Sequence, residues 1–193
     1  VQTRASSTKE WDALPGYHNP DSGKVAISTN PNTWPKDNSG NPYWPVRTAD
    51  GKDSILSQED TYAVYKDLTN ARGADDPSQR LNIRMEQTTY AWSTSKDNDY
   101  IVIKFDCIND TTVARDSFYF AMYCDFDAGG IENDYEDDLW GFEKERDFFY
   151  IYDSDNISSD WRGSKPFQLG LTFLETPEVN GVRKGITDWH YSS

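Results

Sequence analysis

Histidine, methionine, cysteine and positive charge are all scarce in this 193-residue chain, and each scarcity narrows the range of functions. Two histidines occur, His18 in a Pro/Gly-rich turn and His190 near the end. A three-histidine zinc site is therefore excluded, and a mixed histidine–thiolate site is poorly supplied with ligands. No G-x-S-x-G segment offers the sharp elbow on which a hydrolase seats its serine. Nineteen Lys and Arg against thirty-three Asp and Glu give a formal net charge of −14, which opposes binding to nucleic acid or to an anionic membrane surface. No apolar run is long enough for a bilayer span or a signal peptide, so membrane insertion is not expected. A start at Val1 instead of methionine is what a mature or excised piece of a longer precursor would show.

Aromatic residues, by contrast, are plentiful. Seven Trp and twelve Tyr accompany a mean hydropathy of −0.85, which indicates a folded, highly solvated protein instead of a disordered acidic tail. The length suffices for one sizeable core, and one domain with a long irregular arm is the expected organisation.

Residues 1–80 are punctuated by Pro, Gly, Asn and Asp, as in LPGYHNP, NPNTWP and SGNPYWP, with little periodicity. Tryptophans at 11, 34 and 44 would be wasted on a flexible tail, so this segment reads as an arm anchored on the core by aromatics. Gln58–Asp67 within it fits a short helix or a strand equally well. Residues 81–193 change to period two: Leu81, Ile83 and Met85 alternate with polar residues, and Tyr100–Ile108, Phe118–Cys124, Phe148–Tyr152 and Phe167–Phe173 are β-branched and aromatic runs bounded by turn residues. The expected fold is all-β, an antiparallel β-sandwich with the arm over one face or edge. Cys107 and Cys124 fall in phase with apolar neighbours and at opposite ends of an expected hairpin, and so read as two buried free thiols.

The densest chemistry lies between Asp125 and Asp138, DFDAGGIENDYEDD, where half of the side chains are carboxylates. So many oxygen ligands on one segment suit Ca2+, which takes about six to eight oxygens at roughly 2.3–2.6 Å in loose geometry. Asp125 and Asp127 are the leading ligands, with Asp134, Glu136, Asp137 and Asp138 as further donors and a backbone carbonyl near Gly129 or Ile131 to complete the shell. The spacing does not match the helix–loop–helix calcium motif, so this would be a calcium loop between strands. A solvated acidic loop is the bland alternative. Trp34, Trp44, Trp140 and Trp161 are candidate platforms for stacking on sugar rings, which would make the chain a carbohydrate-binding module, although each also suits core packing. Glycoside hydrolysis by paired carboxylates is a third reading, weakened because no single acid stands in an apolar setting.

Several phrases together carry a resemblance: WDALPGY, NPYWP, QEDTY, QTTYAWS, DYIVIKFDCIND, FAMYCDFDAGG with its following Asp pair, FFYIYDSD and TPEVNGVRKGITDWH. They resemble uncharacterised secreted or surface proteins of bacteria, many with fibronectin-like modules or a C-terminal secretion-sorting domain. The resemblance spans most of the chain. It implies export to the extracellular space or cell surface, a β-rich fold and truncation from a longer polypeptide. It implies no catalysis. The expected sandwich is of the immunoglobulin/fibronectin-like kind, and the expected partners are other domains or copies of a surface protein, or polysaccharide. The expected function is that of a calcium-stabilised structural, adhesive or assembly module.

Overall fold

β-branched and aromatic residues at alternate positions make the longer strands of the described chain, and its helical turns are short 3-10 pieces. The structure, a computed structural model, describes residues 14–16, 25–66, 81–115, 118–122, 124, 126–128, 134–157 and 167–187. Among these residues no α-helix forms, and the paired strands are all antiparallel. The protein is all-β. Contacts divide the chain into two compact units, residues 1–123 and 124–193.

In the first unit, β1 (Leu14–Gly16), β2 (Ala26–Ile27), β3 (Glu59–Lys66), β4 (Ile83–Ala91) and β5 (Ile101–Asn109) form one sheet in the order β1-β3-β4-β5, with β2 also paired to β3. Gln58–Asp67, ambiguous in sequence, is resolved as strand: β3 pairs with β4 from Glu59↔Ala91 to Lys66↔Arg84. The segment read as an arm thus supplies a strand in the middle of the sheet of the first unit. β3 is interior because small and aromatic residues fill both its faces. Ala63 is buried on one side, Tyr62 and Val64 on the other.

Tyr62 and Val64 form a cluster with Ala26 and Trp44, against which Trp34 and Val46 pack. The Pro-rich loops between β2 and β3 are therefore the lid of this core, as their tryptophans suggested. Trp44 is fully buried and its Nε1–H donates to the Ser54 carbonyl at 2.9 Å. Trp34 Nε1–H donates to the Ile27 carbonyl at 2.8 Å, and the two indoles lie 5.6 Å apart at 55°. On the opposite face, Ile83 and Met85 gather Tyr65, Leu81 and Phe105.

Burial pushes the Tyr62 phenol up to about 12 from its ordinary 10.0, the positive charge of Arg84 partly opposing it. The folded pKa lies above the unfolded one, so this contribution to stability is complete below about pH 10 and lost as pH rises toward about 12. Tyr62→Phe is expected to delete the last tyrosine step in an absorbance titration and to move alkaline unfolding to higher pH.

Two expectations are corrected. The run Phe118–Cys124 forms no strand at its described residues; Phe120 instead meets Phe105 ring to ring at 5.3 Å, using its apolar side chain without joining the ladder. Among the described residues the expected hairpin on β5 is therefore missing, and β5 pairs with β4 alone. Both cysteines are free, as expected, but Cys107 is exposed and Cys124 half-buried. The apolar row Ile101, Ile103, Phe105, Cys107 lies on the last strand of the sheet, where Ile101 is 60% exposed.

In the second unit, β6 (Asp138–Glu143), β7 (Phe148–Asp153) and β8 (Leu169–Thr172) form a three-stranded meander, and β9 (Glu178–Val179) and β10 (Val182–Arg183) form a separate hairpin. That hairpin turns on Asn180-Gly181, whose φ angles of 55° and 73° are those of a mirror-type two-residue turn.

Candidate metal centre

The alternation of strand side chains decides which acids meet. Asp138 opens β6 and Asp153 closes β7, and the register pairs them directly. Their side chains therefore rise on the same face, the one that also carries Trp140 opposite the buried Ile151. Like charges placed this way repel.

Beside this pair the chain brings two more carboxylates, Asp137 and Asp155. A single turn of 3-10 helix at Asp134–Asp137 leads into β6. Asp137, Asp153 and Asp155 each offer an oxygen, and the three oxygens lie within 4.8 Å of one another. Asp153 is buried, Asp137 half-buried and Asp155 exposed, so the group runs from the end of the sheet out to solvent. Local hydrogen bonds fix the three side chains. Ser154 Oγ–H donates to Asp137 Oδ2 at 2.8 Å, and the Asn156 amide donates to Asp153 Oδ1. The Ile157 amide donates to Asp155 Oδ1 at 2.8 Å.

Asp138 sits beside this group with its two oxygens in different circumstances. Oδ2 accepts the amide of buried Ala128 at 2.8 Å, whereas Oδ1 is buried with no hydrogen-bond partner among the described residues. Burial pushes the Asp138 carboxyl above its ordinary value, and the charges of Asp127, Asp153 and Asp137 push it the same way against the Ala128 amide. Asp138 thus adjoins the group of Asp137, Asp153 and Asp155, and its unpartnered acceptor oxygen is what a hard cation would satisfy. The donors are carboxylates throughout, which selects against soft, thiolate-seeking metals.

Of the acids expected as ligands, Asp137 lies in this group, Asp138 stands beside it, and the charge of Asp127 acts on Asp138. Glu136 is exposed and outside the group of three. Asp125, expected as a leading ligand, lies outside the described residues, as does the side chain of Asp134. Asp153 and Asp155, which complete the group, were not among the acids expected as ligands. Their D-S-D spacing repeats the D-x-D of Asp125 and Asp127 at the end of an aromatic strand, and that was the available signal.

The tryptophans expected to stack on a ligand are placed differently. Trp44 is buried, Trp34 is packed against it, and half-buried Trp140 meets Phe149 at 4.8 Å. Trp161, His18 and His190 lie outside the described residues. An open cavity of about 450 Å³ is lined by Lys144, Arg146, Arg183 and Lys184 with Asp147, whose Oδ1 is tied to the Ile186 amide at 3.2 Å. Asp138, the carboxyl with the raised pKa, is not among its lining residues. No described helix is long and apolar enough to cross a membrane.

Comparison of the chain with protein-family models, with curated proteins and with solved structures finds no match.

Proposed function

We propose that this chain is a non-catalytic, calcium-stabilised module of a secreted bacterial surface protein, a β-sandwich of the immunoglobulin/fibronectin kind with a structural, adhesive or assembly role outside the cell. The observation that carries the reading is the convergence of Asp137, Asp153 and Asp155 beside the orphaned Oδ1 of Asp138. Ca2+ would take the three facing carboxylates and Asp138, with Asp127 and main-chain or water oxygens filling the shell. It would tie the start of β6 to the end of β7 and cancel the repulsion between them.

Thermal unfolding in Ca2+ and in chelator tests this. Saturation at about a hundredfold over the dissociation constant stabilises by about 2.7 kcal/mol, which for a unit of this size raises the midpoint by on the order of ten degrees. Asp153→Asn should abolish the rise. Asp138→Asn should raise the midpoint of the chelated protein, since it removes a charge that burial and three neighbours penalise, while reducing the response to calcium. Superimposable curves with and without calcium would overturn the reading.

A further inference from the structure

The two edges of the first sheet are built differently. On one side it ends in β1 and β2, strands of three and two residues, and β1 carries Pro15, which has no N–H to offer a neighbour. On the other it ends in β5, nine residues long and, among the described residues, paired on one side alone. The ladder shows which main-chain groups of β5 are left over. The Asp110 amide donates to the Asn82 carbonyl at 3.1 Å in the β4–β5 register, so the hydrogen-bonded pairs recur at every second position from there, at Arg84↔Ile108, Glu86↔Asp106 and Thr88↔Lys104. Ile103, Phe105 and Cys107 lie between these and turn their N–H and C=O groups outward, where no main-chain bond from the described residues meets them.

The side chains of β5 divide by face. One face carries Ile101, Ile103, Phe105 and Cys107, with Ile101 60% and Ile103 36% exposed and the Phe120 ring set against Phe105. The other carries Lys104 and Asp106, whose Nζ and Oδ2 are 2.5 Å apart in an exposed ion pair. A lysine on an edge strand ordinarily keeps other strands away. Here the acid two residues further on makes the edge complementary to itself. When two copies of β5 run antiparallel about a two-fold axis centred on Phe105, each Lys104 stands directly opposite Asp106 of the second copy. An axis centred on Lys104 or on Asp106 would oppose like charges, which destabilises a strand pair. An axis centred on Ile103 would set Lys104 against Val102, and one centred on Cys107 would set Asp106 against Ile108.

We infer that β5 is an assembly edge, which pairs antiparallel with β5 of a second copy of this chain in the register centred on Phe105. The outward main-chain groups of Ile103, Phe105 and Cys107 then meet those of the second copy, so the ladder continues from one molecule into the next. The apolar rows of the two copies lie side by side on one face, covering the exposed isoleucines, while the lysines and aspartates alternate on the other. Because the contact is two-fold, each copy uses up the free edge of the other and growth stops at a dimer. This pairing uses the first unit alone and does not depend on calcium.

Sedimentation velocity of the full chain, in chelator and reductant and from micromolar to millimolar concentration, tests it. A monomer–dimer equilibrium is expected. Lys104→Asp, which leaves only carboxylates at the axis, should weaken association about tenfold or more, and the same change combined with Asp106→Lys, which restores the alternation, should return it to within a few-fold of the parent. Both side chains are exposed, and unchanged circular dichroism would show that the variants remain folded. Ile103→Cys in a Cys124→Ser background tests the register, because the new thiol lies opposite Cys107 of the second copy and should link to it on mild oxidation. Within one chain the two positions are about 13 Å apart along the strand, beyond the roughly 7 Å that a disulfide spans. Sedimentation as a monomer throughout, a dimer undisturbed by Lys104→Asp, or a linked dimer formed as readily by Cys124→Ser with Ile103 intact would each overturn the inference.

Discussion

Trp44→Ala is expected to lower the stability of the first unit by about 3–5 kcal/mol, enough to leave much of it unfolded at ambient temperature if the parent is only marginally stable. Trp44 has no exposed surface and is the largest side chain in the cluster of Ala26, Tyr62 and Val64. Its removal leaves a cavity beneath loops that have little regular structure of their own, and it takes away the donor that holds the Ser54 carbonyl. Trp34 loses its ring neighbour at the same time. Urea unfolding followed by fluorescence should show a lower midpoint with an unchanged slope. Trp44→Phe, which fills most of the space but lacks the N–H, should fall between the two. A change below about 1 kcal/mol for Trp44→Ala would mean that the loops do not cover this core.

Asp60→Ala is the second substitution with a large expected cost, about 2–4 kcal/mol. Asp60 is fully buried, yet its carboxylate is met by three donors: Oδ2 accepts the Leu56 amide at 2.8 Å, and Oδ1 accepts the Ser57 amide at 2.9 Å as well as the Ser57 hydroxyl. The same residue's main chain exchanges bonds with Ser28, donating to Oγ at 2.8 Å and accepting the Ser28 amide at 2.8 Å. One side chain thus fastens the approach to β3, and alanine would leave two amides without their acceptor. Asparagine should not restore stability, because its NH2 group would face an amide donor. Full recovery in Asp60→Asn, measured by the same urea titration, would contradict this account.

Strand content was legible because alternation is a local property. β4, β5, β7 and β8 fall on the runs read at Leu81–Glu86, Tyr100–Ile108, Phe148–Tyr152 and Phe167–Phe173. β6 was hidden because DLWGFE contains a glycine and an acidic start, and its glycine makes sense only beside Tyr150. The segment Phe118–Cys124 carries the same alternation as a strand but satisfies it through Phe105, a contact between distant residues that no local pattern encodes. The acidic site shows the same division. Asp137 and Asp138 stand out in a charge run, whereas Asp153 becomes their neighbour only through the β6–β7 register. A resemblance in short phrases suggested a fibronectin-like exported module, and the all-β fold agrees with it at the level of strand content alone.

The pair of indoles over the first sheet has an optical consequence. Two strong chromophores 5.6 Å apart and inclined at 55° couple excitonically, so Trp34 and Trp44 should add a split band of opposite-signed lobes to the far-ultraviolet circular dichroism. Superimposed on a weak β-sheet spectrum, such a couplet would distort any secondary-structure content fitted from it, and its disappearance in Trp34→Phe would supply a local reporter of loop closure that the global signal lacks.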